Sequence, residues 1–66
     1  MDKKELGKRI AKMRKKCGLT QNELAKMTET RQTHISRIET GVYMPRLEML
    51  VKIAKALNCD IEELLK

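Results

Sequence analysis

One proline and three glycines in 66 residues leave the chain little of the punctuation that sheet-making turns need, and no alternating β-branched run is present. It also lacks a linker rich in Gly, Ser or Pro, an internal repeat and any low-complexity tract. No apolar stretch approaches the roughly 18 residues of a membrane span. Met1 leads directly into Asp2-Lys3-Lys4 without the apolar core of a signal peptide, so a cytoplasmic location with no membrane partner is expected. The only cysteines, Cys17 and Cys59, lie far apart and show no C-x-x-C or Cys/His ligand spacing. That pattern suggests two reduced thiols rather than a zinc site or a disulfide framework. The single histidine, His34, has no Cys, Ser or carboxylate at a spacing suited to catalysis or metal binding. An enzyme is therefore not expected, and no metal, cofactor or small-molecule ligand is evident.

What is present is charge, unevenly placed. The formal net charge is +6. Residues 1–18 hold eight Lys/Arg against Asp2 and Glu5, whereas residues 19–66 hold seven of each sign. A basic excess favours a polyanionic partner, because each neutralised phosphate releases condensed counterions. A lysine-rich helix is equally a common solvated face, and Lys12, Arg14, Lys15 and Lys16 would complement a helix dipole without any partner. The short length adds a second consideration: so small a core is marginally stable alone, which makes oligomerisation an expectation.

A helix-start signature occurs three times. An N-cap residue is followed three positions later by Glu at Asp2/Glu5, Thr20/Glu23 and Asp60/Glu63, and each pair precedes an apolar stripe. Leu6, Ile10, Met13 and Cys17 share one face of a first helix, which Gly18 ends as a left-handed cap. A second helix runs from about Gln21 with Leu24 and Ala25 inward. After Thr28-Glu29-Thr30 a third carries Ile35 and Ile38 and stops near Gly41. Val42 to Pro45 form a loop. Leu47, Leu50, Val51, Ala54 and Leu57 mark a fourth helix ending at Asn58, and Ile61 to Leu65 form a short fifth. The fold class is all-α, a compact five-helix domain.

The second and third helices are joined by too few residues to lie antiparallel, so they must cross steeply as a helix-turn-helix over residues 21–40. The small side chain of Ala25 suits that crossing. With Ile35 and Ile38 turned inward, Gln32, Thr33, Ser36 and Arg37 point outward, with Arg31 at the first turn. Such groups read base edges: Arg donates bidentately to guanine, Gln to adenine, and Ser or Thr hydrogen-bonds or meets a thymine methyl in the major groove. For an isolated helix the same polar face would simply meet water.

Residues 6–65 resemble the Cro/phage-repressor-like (XRE) helix-turn-helix family. Residues 1–5 form only the start of the first helix. The resemblance rests on Leu6-Gly7-Lys8-Arg9-Ile10, Gly18-Leu19-Thr20-Gln21-x-Glu23-Leu24-Ala25, Ile35-Ser36-Arg37-Ile38-Glu39-x-Gly41, Pro45-x-Leu47-Glu48-x-Leu50, Ile53-Ala54-x-Ala56-Leu57 and Glu62-Glu63-Leu64-Leu65. It implies a homodimeric transcriptional regulator, a repressor or autoregulator, that binds double-stranded DNA at a pseudo-palindromic operator. The third helix, about 31–39, would enter the major groove with Arg31, Gln32, Thr33, Ser36 and Arg37 facing bases. Gln21 would clamp a phosphate with help from Asn22, and a helix start suits that role. Tyr43 and Arg46 would reach the backbone from the following loop, and an Arg14–Glu39 ion pair would brace the first helix against the third. The resemblance also implies pairing through the fourth and fifth helices, for which Leu57, Ile61, Leu64 and Leu65 are candidates. Their plain alternative, shared by Met27, Met44 and Met49, is intramolecular core.

The chain departs from the family pattern in several places, among them Thr28 and Thr30 at usually apolar positions and a Val42-Tyr43-Met44 loop that is less basic than in many relatives. Glu29 occupies a turn position that is usually glycine, so either residue 29 is left-handed, at about 1–2 kcal/mol, or the second helix continues further. Arg31 replaces the usual Ser/Thr N-cap, which either leaves that helix uncapped or passes the cap to Thr30. Arg46 replaces a serine before the fourth helix. His34 stands between the outward and inward faces, either filling the core rim or touching a phosphate. The competing functional class is a protein-interaction module, of antitoxin or adaptor type, with weak or no specific DNA binding.

Overall fold

The computed structural model describes residues 1–66, and its helices begin where the sequence supplies local caps. In α1 (Lys3–Lys16) the Asp2 carboxylate accepts from the Glu5 amide at 2.7 Å. Gly18, at φ +72°, turns the chain so that the Leu19 amide reaches back to Arg14 O at 3.1 Å. In α2 (Gln21–Met27) the box is reciprocal: Thr20 Oγ1 accepts from the Glu23 amide at 3.0 Å, and Glu23 Oε1 accepts from the Thr20 amide at 2.9 Å. The Thr20 amide, and after it the Thr20 side chain, holds the Glu23 carboxyl below its ordinary pKa.

The second helix does not run on. It stops at Met27, and Glu29 adopts φ +59°, the left-handed alternative. Thr30 N then reaches Ala25 O at 2.8 Å, while the buried Thr28 hydroxyl donates to Leu24 O at 2.8 Å. The amides of Thr28, Glu29 and Thr30 and the Thr28 hydroxyl are thus all satisfied by α2's own last carbonyls. Arg31, not Thr30, is the N-cap of α3 (Gln32–Glu39), without a side-chain capping bond. Arg46 precedes α4 (Leu47–Ala56) in the same uncapped way. That helix ends two residues before the expected Asn58, which instead takes φ +54° and lets the Cys59 amide bond to Ala54 O at 2.9 Å. The chain closes with α5 (Ile61–Leu65).

Leu6, Ile10, Leu24, Ala25, Ile35, Ile38, Leu50, Ile53, Ala54, Leu57 and Leu64 form one core drawn from all five helices. The pivot of the arrangement is Gly7. A Cβ there would stand 2.4 Å from Ile38 O and 2.6 Å from Glu39 O, so the backbone of α1 rests directly on the last turn of α3. Only glycine permits that approach.

Several expected inward positions face solvent. Leu47, at 67 % exposure, and Val51 lie outside the core. The apolar arc of α4 is wider than the face its neighbours cover. Cys17 and Met27 are exposed too. Conversely, Leu57 at 3 % and Leu64 at 0 % exposure are consumed by the intramolecular core. Their side chains are already buried before any partner arrives, which removes them from the pairing candidates. Ile61 remains half-buried and Leu65 exposed. No helix is long and apolar enough to cross a membrane.

Candidate nucleic-acid interface

Helix α3 has two unlike faces. Ile35 and Ile38 point into the core, and Glu39 is buried beside them. Of the polar residues, Gln32, Thr33 and Arg37 on α3 and Arg31 at its N-cap are exposed, and Ser36 is partly so. Each of the five anticipated base-facing residues is thus at least partly open to solvent. None of their side chains forms a hydrogen bond or ion pair elsewhere in the chain, so their donors and acceptors are available to a ligand.

Beneath this surface the polar groups are fully engaged. Arg14, 8 % exposed, donates through Nε to Glu39 Oε2 at 2.6 Å, through Nη2 to Oε1 at 3.1 Å, and through Nη1 to Leu19 O at 2.7 Å. The anticipated ion pair is thus a fork with a third anchor on the backbone, and the hydrogen bond to Glu39 raises the guanidinium pKa against the opposing effect of burial. Of the four cations near the end of α1, Arg14 alone folds inward; Lys12, Lys15 and Lys16 stay exposed.

Gln21, expected at a phosphate, has a partner that sequence reasoning missed. Its Nε2 donates to Glu39 Oε1 at 2.9 Å. Eighteen residues separate the two, and no periodicity reports such a contact. Asn22 is exposed beside it.

The loop after α3 is held from two sides. The Tyr43 hydroxyl meets the ring nitrogens of His34, with Nε2 at 3.0 Å and Nδ1 also in contact, and the two rings are tilted at 45°. His34 is therefore a half-buried rim residue whose ring steadies Tyr43, and that hydroxyl is shared rather than free. From the other side Lys3 Nζ donates to Val42 O at 3.1 Å, a further contact the sequence did not announce. Arg46 is exposed where the loop enters α4. A cleft of about 300 Å³ between α3 and α4 is lined by His34, Tyr43, Pro45, Arg46, Met49 and Lys52, among others. No group of three or more His, Cys, Asp or Glu side chains could hold a metal ion. Burial, aided by Glu63 and Asp60, raises the Cys59 thiol pKa.

Comparison with known proteins agrees with this geometry. A family model described as helix-turn-helix matches residues 10–64. An uncharacterized HTH-type transcriptional regulator of Archaeoglobus fulgidus is 45% identical over 56 residues, 85% of this chain and 80% of that protein. The ImmF control region 10 kDa protein of Bacillus phage phi105 is 39% identical over 64 residues, covering 97% of this chain and 71% of its own. Among solved structures, the P22 c2 repressor in complex with a synthetic operator superposes with a TM-score of 0.86 at 38% identity, over 92% of each chain. The match extends over most of the chain in sequence and in fold, and the protein belongs to the Cro/phage-repressor-like helix-turn-helix family.

Proposed function

We propose that this protein is a sequence-specific DNA-binding regulator of transcription, acting in the cytoplasm as a homodimer on a pseudo-palindromic operator. The observation that carries the reading is the contrast at α3: a buried inner face beside five open polar side chains, four on the helix and Arg31 at its N-cap, with no partner of their own. The resemblance to a repressor solved with its operator supports DNA as the ligand. Family and fold are those of regulators rather than of enzymes.

In this reading Arg31, Gln32, Thr33, Ser36 and Arg37 meet base edges in the major groove, while Gln21, Asn22, Tyr43 and Arg46 meet the backbone on either side. The exposed apolar side chains Leu47, Val51 and Leu65, with half-buried Ile61, supply surface for a second copy. Two-fold pairing would set the two copies of α3 about 34 Å apart, one helical turn of DNA.

The test is selection of bound sequences from a random duplex pool, followed by titration of the winner at two salt concentrations. An inverted repeat bound far more tightly than scrambled DNA is expected. Failure to enrich any motif, with only weak and steeply salt-dependent binding, would contradict specific recognition and favour a module that binds protein instead.

A further inference from the structure

We infer that Glu39 is a positioning residue for DNA binding, one that aims the Gln21 side chain at the DNA backbone; this rests on the reading of Gln21 as a phosphate contact. Glu39 is the last residue of α3, Gln21 the first of α2, and the carboxylate joins them through Oε1 at 2.9 Å from Gln21 Nε2. A solvent-facing glutamine ordinarily samples several rotamers and must lose that freedom on binding. Here the freedom is already restricted, and the group restricting it is rigid. Glu39 is 9 % exposed and forked by Arg14, and Arg14 is pinned in turn to Leu19 O at 2.7 Å.

The chemistry of the network suits an anionic ligand. Gln21 Nε2 carries two hydrogens, and the bond to Glu39 uses one. The second remains for a phosphate oxygen. The carboxylate does not repel that phosphate as a bare charge, because the Arg14 guanidinium lies against it at 2.6 Å. Because Glu39 belongs to the helix that carries Gln32, Ser36 and Arg37, the same bond fixes the spacing between the backbone contact and the base-reading face.

A double-mutant cycle on operator affinity separates this role from simple bracing. Gln21→Ala is expected to weaken binding about tenfold, and Glu39→Gln by a factor of about three to ten. The decisive result is that Glu39→Gln adds less than about twofold once Gln21 is alanine. Equal losses in both backgrounds would show that Glu39 acts on the fold alone and would overturn the proposal. A Gln21→Ala variant that binds as tightly as the parent would overturn the phosphate reading, and the proposal with it. Should Glu39→Gln not fold, nuclear magnetic resonance of the unmutated free protein decides. A Gln21 side-chain amide held in one rotamer with slowed hydrogen exchange supports the proposal, and a rotamer-averaged amide overturns it.

Discussion

Arg14 and Arg37 are the same residue type, 23 positions apart in one small domain, and they are used in opposite ways. Arg14 is buried in the base of the fold, with Nε, Nη1 and Nη2 all committed to Glu39 and Leu19. Arg37 stands on the outer face of α3 with no partner in the chain. Under the proposed function the difference marks where stability ends and recognition begins: the boundary runs lengthwise through α3 itself. A buried charge left unpaired is expensive, so every donor on the inner side is matched. On the outer side unmatched donors face water at little cost until a ligand replaces the water.

Substitutions should divide along that boundary. The largest effect is expected from Gly7→Ala, whose added Cβ meets Ile38 O at 2.4 Å and Glu39 O at 2.6 Å. Backbone cannot yield as a flexible side-chain tip does, and a loss of about 3 kcal/mol or more is expected from chemical denaturation. DNA binding would disappear with the fold. Next come Gln32→Ala and Arg37→Ala on the other side. Each should lower operator affinity by roughly 1–3 kcal/mol, while thermal melting stays at the parental temperature. A drop in melting temperature for either would erase the proposed boundary.

Glu29→Gly sharpens the contrast within the turn that joins the two helices, at an exposed residue outside the core. Relief of the φ +59° conformation should stabilise the domain by about 1 kcal/mol. The exposed Lys52–Glu29 pair, at 3.5 Å, offsets little of that gain. A lower melting temperature would mean that the left-handed residue carries no strain. The smallest effect is the pH dependence of the α2 cap. The Thr20 amide lowers the Glu23 pKa in the folded state. The stabilisation is therefore complete above the ordinary glutamate value of about 4.3 and is lost as pH falls through the depressed folded value. Melting curves should show the parent's advantage over Glu23→Gln shrinking in that acidic range, and a constant difference would reject the assignment.

How far the sequence could be read follows from how far each feature reaches along it. Asp2/Glu5 and Thr20/Glu23 announce their helices because capping is completed within three residues. Ile35 and Ile38 locate the inner face of α3 by periodicity, and the outward four, Gln32, Thr33, Ser36 and Arg37, follow by subtraction. Two features were legible only as alternatives, the conformation of Glu29 and the cap of α3, because local chemistry and tertiary fit compete there. Periodicity failed on α4. It places Leu47 and Val51 on the apolar side but does not say how much of that side the neighbouring helices cover. The resemblance left Leu57 and Leu64 open between a partner and the chain's own core, and the core takes them. The bonds from Gln21 to Glu39, Lys3 to Val42 and Tyr43 to His34 join segments 18, 39 and 9 residues apart. No local rule reports such contacts, although they set the geometry of the candidate interface.

The most direct test of the account repeats the random-pool selection with Arg37→Ala beside the parent and compares the two motifs column by column. If the outer face of α3 reads bases, the variant should lose its preference at one base-pair position in each half-site and keep the remaining positions and the half-site spacing. A motif unchanged in every column, recovered at lower affinity or not, would contradict the claim that this face of α3 reads the sequence.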